Sequence, residues 1–258
     1  MNICVDVGNT LIKIGVFENN VLLKTMSFKT CVNKSEDELD LIITSLFEKN
    51  NIIITDDTSI IFSSVVPSLN VPLKNVLINI FGENFYHLGP GIKTGVPMKV
   101  DNPNEVGSDL IADMVGAKNR YGNPSIVVDL GTATKVLLLD KDGFFSAASI
   151  APGLIIGGST LSSSGEMLPI VSIEVPKNVL ARNTIDAMNS GIVYGHLEMV
   201  VGLVRRFEDE LGYKCKKILT GGNAHYIKNL ISDEFVIDFD LAIEGLNVIL
   251  EKNKGKKL

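Results

Sequence analysis

Two stretches half a chain apart are written to one plan: NICVDVGNTLIKIGVFENNVL after Met1, and SIVVDLGTATKVLLLDKDGFF at residues 125–145. In each, an apolar run ends in Asp-x-Gly, a tight turn follows, and a second apolar run leads through a polar turn into a third. Asp6 matches Asp129 and Gly8 matches Gly131. Apolar runs bounded by Gly, Asn and Asp read as strands joined by short turns. The pair therefore predicts an internal duplication in which each half opens with an antiparallel meander. The 258 residues leave room for two such halves.

Between the meanders, SEDELDLIITSLFEK reads as a helix, with Ser35 and Glu38 as a capping-box pair and Leu39, Ile42, Ile43 and Leu46 as its apolar face. SIIFSSVV reads as a buried strand stopped by Pro67. VPLKNVLINIFG reads as a helix that turns Leu73, Val76, Leu77 and Ile80 inward and ends at Gly82. NPNEVGSDLIADMVGAKNRYG reads as a helix beginning near Asn104 and closed by Gly122. The expected domains are 1–118 and 119–258. In the second, NTIDAMNSGIVYGHLEMVVGLVRRFEDELG is the longest helical pattern. Gly191, Gly195 and Gly202 inside it each cost about 1 kcal/mol relative to Ala in an exposed helix, which points to close helix packing. KKILTGGNAHYIKNL reads strand, Gly-rich turn, helix, and EFVIDFDLAIEGLNVILEK reads strand, helix. Strands and helices alternating after a meander give an α/β fold with mixed sheets.

Composition excludes several classes. The net charge of −6 gives no global field for nucleic acid, and the basic end EKNKGKKL reads as a solvated terminus. No apolar run approaches the roughly 18 residues of a membrane span. Met1 leads straight into a strand pattern, so no secretory signal is expected. Cys4, Cys31 and Cys215 are odd in number, far apart and outside any CxxC, which fits a reducing cytoplasm and argues against zinc. His87, His196 and His225 stand alone and read as core or surface residues. No Gly-x-Ser-x-Gly elbow occurs, and SSSG at 162–165 suits a loop.

An ionised Asp ending an apolar strand is costly to bury without compensation. One such Asp-x-Gly is most simply a turn. Two copies, each followed by hydroxyl or amide side chains (Asn9 and Thr10; Thr132 and Thr134), suggest a pair of phosphate cradles. A carboxylate at the rim is suited to a cation that phosphates bring. Lys13 either adds positive charge to the first turn or extends into solvent. Neither GxxxxGK[ST] nor GxGxxG after a strand is present.

On these residues the chain resembles the superfamily of acetate and sugar kinases, heat-shock ATPases and actin, whose ribonuclease H-like domains clamp ATP between two phosphate hairpins. LTGGNA at 219–224 resembles that superfamily's adenosine turn, with Gly221 and Gly222 against the nucleotide. DVGNT, SSVVP at 63–67, GIKTG at 91–95, DNPNEVGSD at 101–109, DLGTAT, APG at 151–153, LPIV at 168–171 and NTIDAMNSGIVYG at 183–195 narrow the resemblance. Together they are similar, nearly end to end, to type III pantothenate kinases. The resemblance implies a duplicated ribonuclease H-like architecture and a cytoplasmic homodimer with pantothenate bound near the dimer interface. It implies transfer of the ATP γ-phosphate to the primary alcohol of pantothenate, the first step toward coenzyme A, and neither nucleic acid nor membrane as a partner.

Site residues follow from the same resemblance. Asp109 is the proton acceptor for the attacking alcohol. Asp6, Val7, Gly8, Asn9, Thr10, Leu11, Ile12 and Lys13 line the first hairpin, and Thr132 contacts ATP from the second. Asp129 holds a monovalent cation, potassium or ammonium, while Mg²⁺ rides on the nucleotide. Val100, Gly107, Ser108, Asp109, Leu110 and Thr184 lie in the segments that bind pantothenate. Thr184 equally suits the N-cap of the long helix. Asp113, one turn after Asp109, reads as a solvated helix-surface acid.

Three positions depart from the family pattern. Leu110 stands where GADR has its arginine, Val100 replaces an aromatic, and Lys135 replaces the last threonine of GTATT. Losing the arginine's contact to the pantothenate carboxylate costs about 1.5–3 kcal/mol, or roughly 10- to 150-fold in affinity. Lys93, Lys99 and Arg182 are candidates to replace it. Two other readings stay open: a non-catalytic regulatory relative, and a kinase of this architecture acting on another small alcohol.

Overall fold

Both Asp-x-Gly segments fold as antiparallel meanders in the computed structural model, which describes residues 1–55, 57–165 and 168–255. The elements of the first half are β1 (Asn2–Val7), β2 (Leu11–Glu18), β3 (Val21–Lys29), α1 (Glu36–Lys49), β4 (Ser59–Ser64), α2 (Pro67–Phe81), β5 (Phe85–His87) and α3 (Ser108–Tyr121). Those of the second are β6 (Ser125–Leu130), β7 (Ala133–Leu139), β8 (Phe145–Pro152), α4 (Leu154–Ser164), α5 (Thr184–Leu211), β9 (Lys216–Thr220), β10 (Phe235–Ile237) and α6 (Leu241–Asn253).

The two sheets have orders β3-β2-β1-β4-β5 and β10-β9-β6-β7-β8, the same topology read from opposite ends. In each, the meander supplies three antiparallel strands, and two further strands add in parallel beside its first. The central strands β1 and β6 show one burial pattern: four buried residues, a half-buried Asp and a buried apolar residue. Strands covered on both faces read as continuous apolar runs, which is how both appear in the sequence.

Chain contacts divide the protein into two compact units: Met1–Pro97 with Asn102–Arg120 and Asp240–Leu258, and Met98–Asp101 with Tyr121–Phe239. These differ from the contiguous halves expected, because α6 returns to pack on β1, β2 and β4 of the first unit. That return rests on a close approach of backbones. A Cβ on Gly245 of α6 would lie 2.8 Å from the backbone nitrogen of Gly116 on α3, and one on Gly116 would lie 3.1 Å from the carbonyl carbon of Leu241. Local patterning carries no sign of such a contact.

The first unit's core joins Ile3, Val5, Ile14 and Phe62 of the sheet to Leu39, Ile43 and Phe47 of α1 and to Leu73 and Leu77 of α2. The Ser35–Glu38 capping box forms as read. The second unit's core packs Val128, Val136 and Leu219 against Val193, Leu197 and Val200 of α5.

Several local expectations need correction. The helix expected from Asn104 starts at Ser108: Asn102 caps a separate 3₁₀ turn, Pro103–Glu105, by accepting from the Asn104 amide. After TGGN the chain forms a short 3₁₀ turn, Ala224–Tyr226, rather than an α-helix. Ser162–Ser164 end α4 instead of forming a loop, with the Ser162 hydroxyl donating to the Gly158 carbonyl. Gly191, Gly195 and Gly202 do not serve close packing, since open space lies over each. The buried stripe of α5 runs through Met188, Val193, Leu197, Val200 and Val204, and the glycines fall outside it. The basic end, expected as a solvated terminus, begins inside α6, where Asn253 is 2% exposed and hydrogen-bonded to the Lys93 backbone; residues 256–258 lie outside the described residues.

The α3–α6 crossing leaves no room for a methyl group. Gly245→Ala should destabilise the protein by about 1–3 kcal/mol or more through backbone displacement, read as a lower midpoint in equilibrium urea unfolding. A midpoint unchanged from the parent protein would contradict this packing.

Candidate active site

In the first unit, the turn after β1 is closed by the Gly8 amide donating to the Leu11 carbonyl at 3.0 Å. Thr30, just past β3, braces it: its hydroxyl donates to the Gly8 carbonyl at 2.7 Å, and its amide to the Thr10 carbonyl at 3.0 Å. Asn9 and Thr10 are left exposed at the tip. Of the Asp6–Lys13 run, Val7 and Ile12 are fully buried, so only their backbone is placed to meet a ligand. Asp6 and Lys13 sit directly opposite one another across the β1–β2 ladder.

Asp109 enters the same neighbourhood through a hydroxyl relay. Asp6 is the register partner of Ser63 on β4. The Ser63 hydroxyl donates to Ser108 Oγ at 3.0 Å, and Ser108 donates to the Ser64 carbonyl at 3.2 Å. The first residue of α3 is thereby pinned to the carboxyl end of β4, beside the strand that carries Asp6. In open α/β sheets, ligands bind outside those strand ends. Asp109 follows, half-buried in the first turn of α3. Its carboxylate folds over Gly107, where a Cβ would lie 2.5 Å from Asp109 Oδ1. Gly107, Ser108 and Asp109 thus act together as spacer, anchor and carboxylate. Leu110 is 9% exposed and presents no polar group. Asp113 is not the solvated acid expected; it is 4% exposed, because residues 112–117 of α3 are almost wholly covered.

In the second unit, three glycine-bearing motifs meet backbone to backbone. The Gly131 amide donates to the Ala133 carbonyl at 3.1 Å. Asn223 holds the hairpin through its side-chain amide on the Gly131 carbonyl and its backbone amide on the Leu130 carbonyl, both 2.8 Å. Gly221, at φ +92°, leaves no room for a side chain: a Cβ would lie 2.5 Å from the Leu130 nitrogen. A Cβ on Gly153 would lie 2.8 Å from the carbonyl carbon of Thr132. Gly222 instead faces open space, and Thr132 is exposed. Thr134, expected in the cradle, faces the core. Strand alternation turns it toward α5, where its hydroxyl lies 2.7 Å from His196 Nε2.

Asp129 is largely enclosed. Its Oδ2 accepts from Lys135 Nζ at 2.8 Å, with the two side chains only 13% and 17% exposed. Its Oδ1 lies under the Cα of Gly221 and near Gly131. Lys135 thus supplies a positive charge at the carboxylate to which the family resemblance assigns a monovalent cation.

Of the pantothenate segments, Gly107–Leu110 lie at the start of α3, whereas Val100 and Thr184 belong to the second unit. Val100 is half-buried, next to Lys99, whose amide donates to the Phe145 carbonyl at 2.8 Å. Thr184 is exposed and is not the N-cap of α5. Asn183 fills that role, its side chain accepting from the Asp186 amide at 2.9 Å. Beside Thr184, a cleft of about 1040 Å³ is lined by the 170–182 segment and the start of α5, with Lys177 and Arg182 among its walls. Lys93 and Lys99 are also exposed.

The duplicated sheets define an actin-like ATPase fold, which three solved structures share. One described as a Baf family transcriptional activator from Campylobacter jejuni has a TM-score of 0.61 at 19% identity, covering 98% of this chain and 100% of its own. MreB 5 of Spiroplasma citri, bound to AMPPNP, has a TM-score of 0.54 at 11% identity, covering 98% and 96%. The activator of 2-hydroxyisocaproyl-CoA dehydratase from Clostridium difficile, with bound ADPNP, has a TM-score of 0.52 at 12% identity, covering 100% and 98%.

Sequence similarity is narrower. A family model described as type III pantothenate kinase matches residues 2–206. Relatives of that name from Exiguobacterium sibiricum and Halalkalibacterium halodurans are 37% and 39% identical, each alignment spanning 98% of this chain and 100% of the relative. The chain belongs to the type III pantothenate kinase family.

Burial holds the His196 imidazole below its ordinary protonation range. The unfolded chain, with an ordinary histidine near pH 6.5, therefore binds the proton more readily than the fold does. Stability is complete above that pH and is lost as pH falls toward the folded value. Melting temperatures between pH 7 and 5 should decline more steeply in the parent protein than in His196→Gln. Parallel profiles would refute the assignment.

Proposed function

We propose that this chain transfers the γ-phosphoryl group of ATP to the primary alcohol of pantothenate, yielding 4′-phosphopantothenate and ADP, the first step toward coenzyme A. The observation that carries this reading is the placement of Asp109 in the first turn of α3, pinned through Ser108 to the strand end beside Asp6. Membership of the type III pantothenate kinase family supports pantothenate over another small alcohol, and a kinase over a regulatory relative.

The chemistry asks little covalent work of the protein and much positioning. ATP, carrying Mg²⁺, supplies the phosphoryl group and part of the charge neutralisation. The Gly8–Thr10 and Gly131–Thr132 turns offer backbone amides and hydroxyls to phosphate oxygens. Gly222, open where Gly221 is filled, suits the nucleotide's approach to backbone. As the alcohol oxygen bonds to the γ-phosphorus and the bond to the bridging oxygen of ADP breaks, the hydroxyl proton passes to the Asp109 carboxylate.

For the pantothenate carboxylate, Arg182 takes the place of the absent arginine. It lines the cleft beside Thr184, where a guanidinium is free to pair in a bidentate manner. A homodimer and a cytoplasmic setting complete the reading. Among the described residues, no helix is long and apolar enough to cross a membrane.

ADP release measured with ATP, Mg²⁺ and pantothenate tests the reaction. Asp109→Asn should lower kcat by about 10²- to 10⁴-fold while leaving ATP binding intact, and turnover near the parent rate would remove Asp109 from the mechanism. Arg182→Ala should raise KM for pantothenate about tenfold or more with kcat little changed. An unchanged KM there, alongside a raised one in Lys93→Ala or Lys99→Ala, would reassign the contact.

A further inference from the structure

We propose that Lys135 is a built-in counter-ion which replaces an exchangeable monovalent cation at the second phosphate hairpin, so that the enzyme works without potassium or ammonium. The inference rests on the kinase reading and concerns how that site balances its charge.

Three observations carry it. First, the Asp129 carboxylate already carries a cationic partner. Lys135 Nζ is bonded to Oδ2 at 2.8 Å, and Oδ1 is covered by Gly221 and lies near Gly131. A metal cation at Oδ2 would have to displace the ammonium or sit against a like charge. Second, the ammonium is held in place. Lys135 lies on β7, hydrogen-bonded on one side to β6 and on the other to β8, and is directly opposite Asp129 in the ladder. Opposed residues of an antiparallel pair point to the same face, so the pairing follows from register and needs no chain movement. The pair is largely shielded from water, which keeps it from exchanging with dissolved salt. Third, the duplicated hairpin repeats the arrangement. Lys13 stands opposite Asp6 on the neighbouring strand, as Lys135 stands opposite Asp129. Each Asp-x-Gly turn thus carries a lysine in register.

The charge balance is the same either way. A carboxylate with a bound monovalent ion and a carboxylate with a lysine ammonium both present a neutral pair to the triphosphate. The tethered form is independent of salt composition.

The test compares the parent protein with Lys135→Thr and Lys135→Arg. ADP release is measured with ATP, Mg²⁺ and pantothenate in tetramethylammonium buffer free of potassium and ammonium, then with potassium added. Affinity for a non-hydrolysable ATP analogue is measured calorimetrically in the same salts. The parent and Lys135→Arg should respond to potassium by less than about twofold in both readouts. Lys135→Thr should be weak without potassium and recover by about tenfold or more when it is added, the scale of one charge-assisted contact. Recovery by an added ion also shows that this variant is folded. Stimulation of the parent by about tenfold would overturn the proposal, as would a Lys135→Thr protein indifferent to potassium in analogue binding. If no salt supports turnover, the kinase reading fails on its own, and analogue binding with and without potassium still decides the role of Lys135.

Discussion

An ionised carboxylate at the end of a strand buried on both faces must be compensated, and both sheets of this protein are organised around that requirement. Asp6 and Asp129 close the central strands β1 and β6, whose burial patterns match residue for residue. Each Asp has a lysine opposite it in the antiparallel ladder, and in the second hairpin the ion pair is formed at 2.8 Å. With the Asp129 charge balanced inside the sheet, the turn beyond it is left to present backbone amides and hydroxyls outward. The same strand end therefore serves stability and ligand binding at once.

The second shared device is the omission of side chains where backbones cross. Gly153 and Gly221 let two separated motifs stack on the Gly131 hairpin, and Asn223 ties one of them to it by hydrogen bonds. Gly107 makes room for the folded carboxylate of Asp109. Gly116 and Gly245 let α6 lie against α3, which draws the C-terminal helix into the first unit. At Gly116, Gly153, Gly221 and Gly245 a Cβ would overlap backbone, where no rotamer change relieves the clash, so these glycines are steric requirements of the site and its frame.

Much of this was legible beforehand. The meanders, the α1 capping box, the buried β4 and the long α5 all appear where periodicity and turn chemistry place them, because those signals act over a few residues. Some misreadings are local, at helix ends, and the others arise where an interaction comes from far away in the chain. Asn102 and Pro103 make a 3₁₀ turn that postpones α3 to Ser108, which puts Asp109 in its first turn. Thr134 looked like a phosphate ligand and is a core partner of His196. Asp113 looked solvated and is covered. The Ser63–Ser108 bond has no local signal, since two serines 45 positions apart carry no mark of their pairing.

By itself, then, the sequence determined the duplication, the mixed-sheet α/β class and the two candidate phosphate turns, because apolar period and Asp-x-Gly grammar are local properties of the chain. Which carboxylate is tied by hydroxyls to a neighbouring strand end, which is locked to a lysine, and which helix returns to the first sheet were decided only by tertiary structure. These depend on strand register and on backbones meeting where glycine leaves space, and both are relations between residues that become neighbours only after folding.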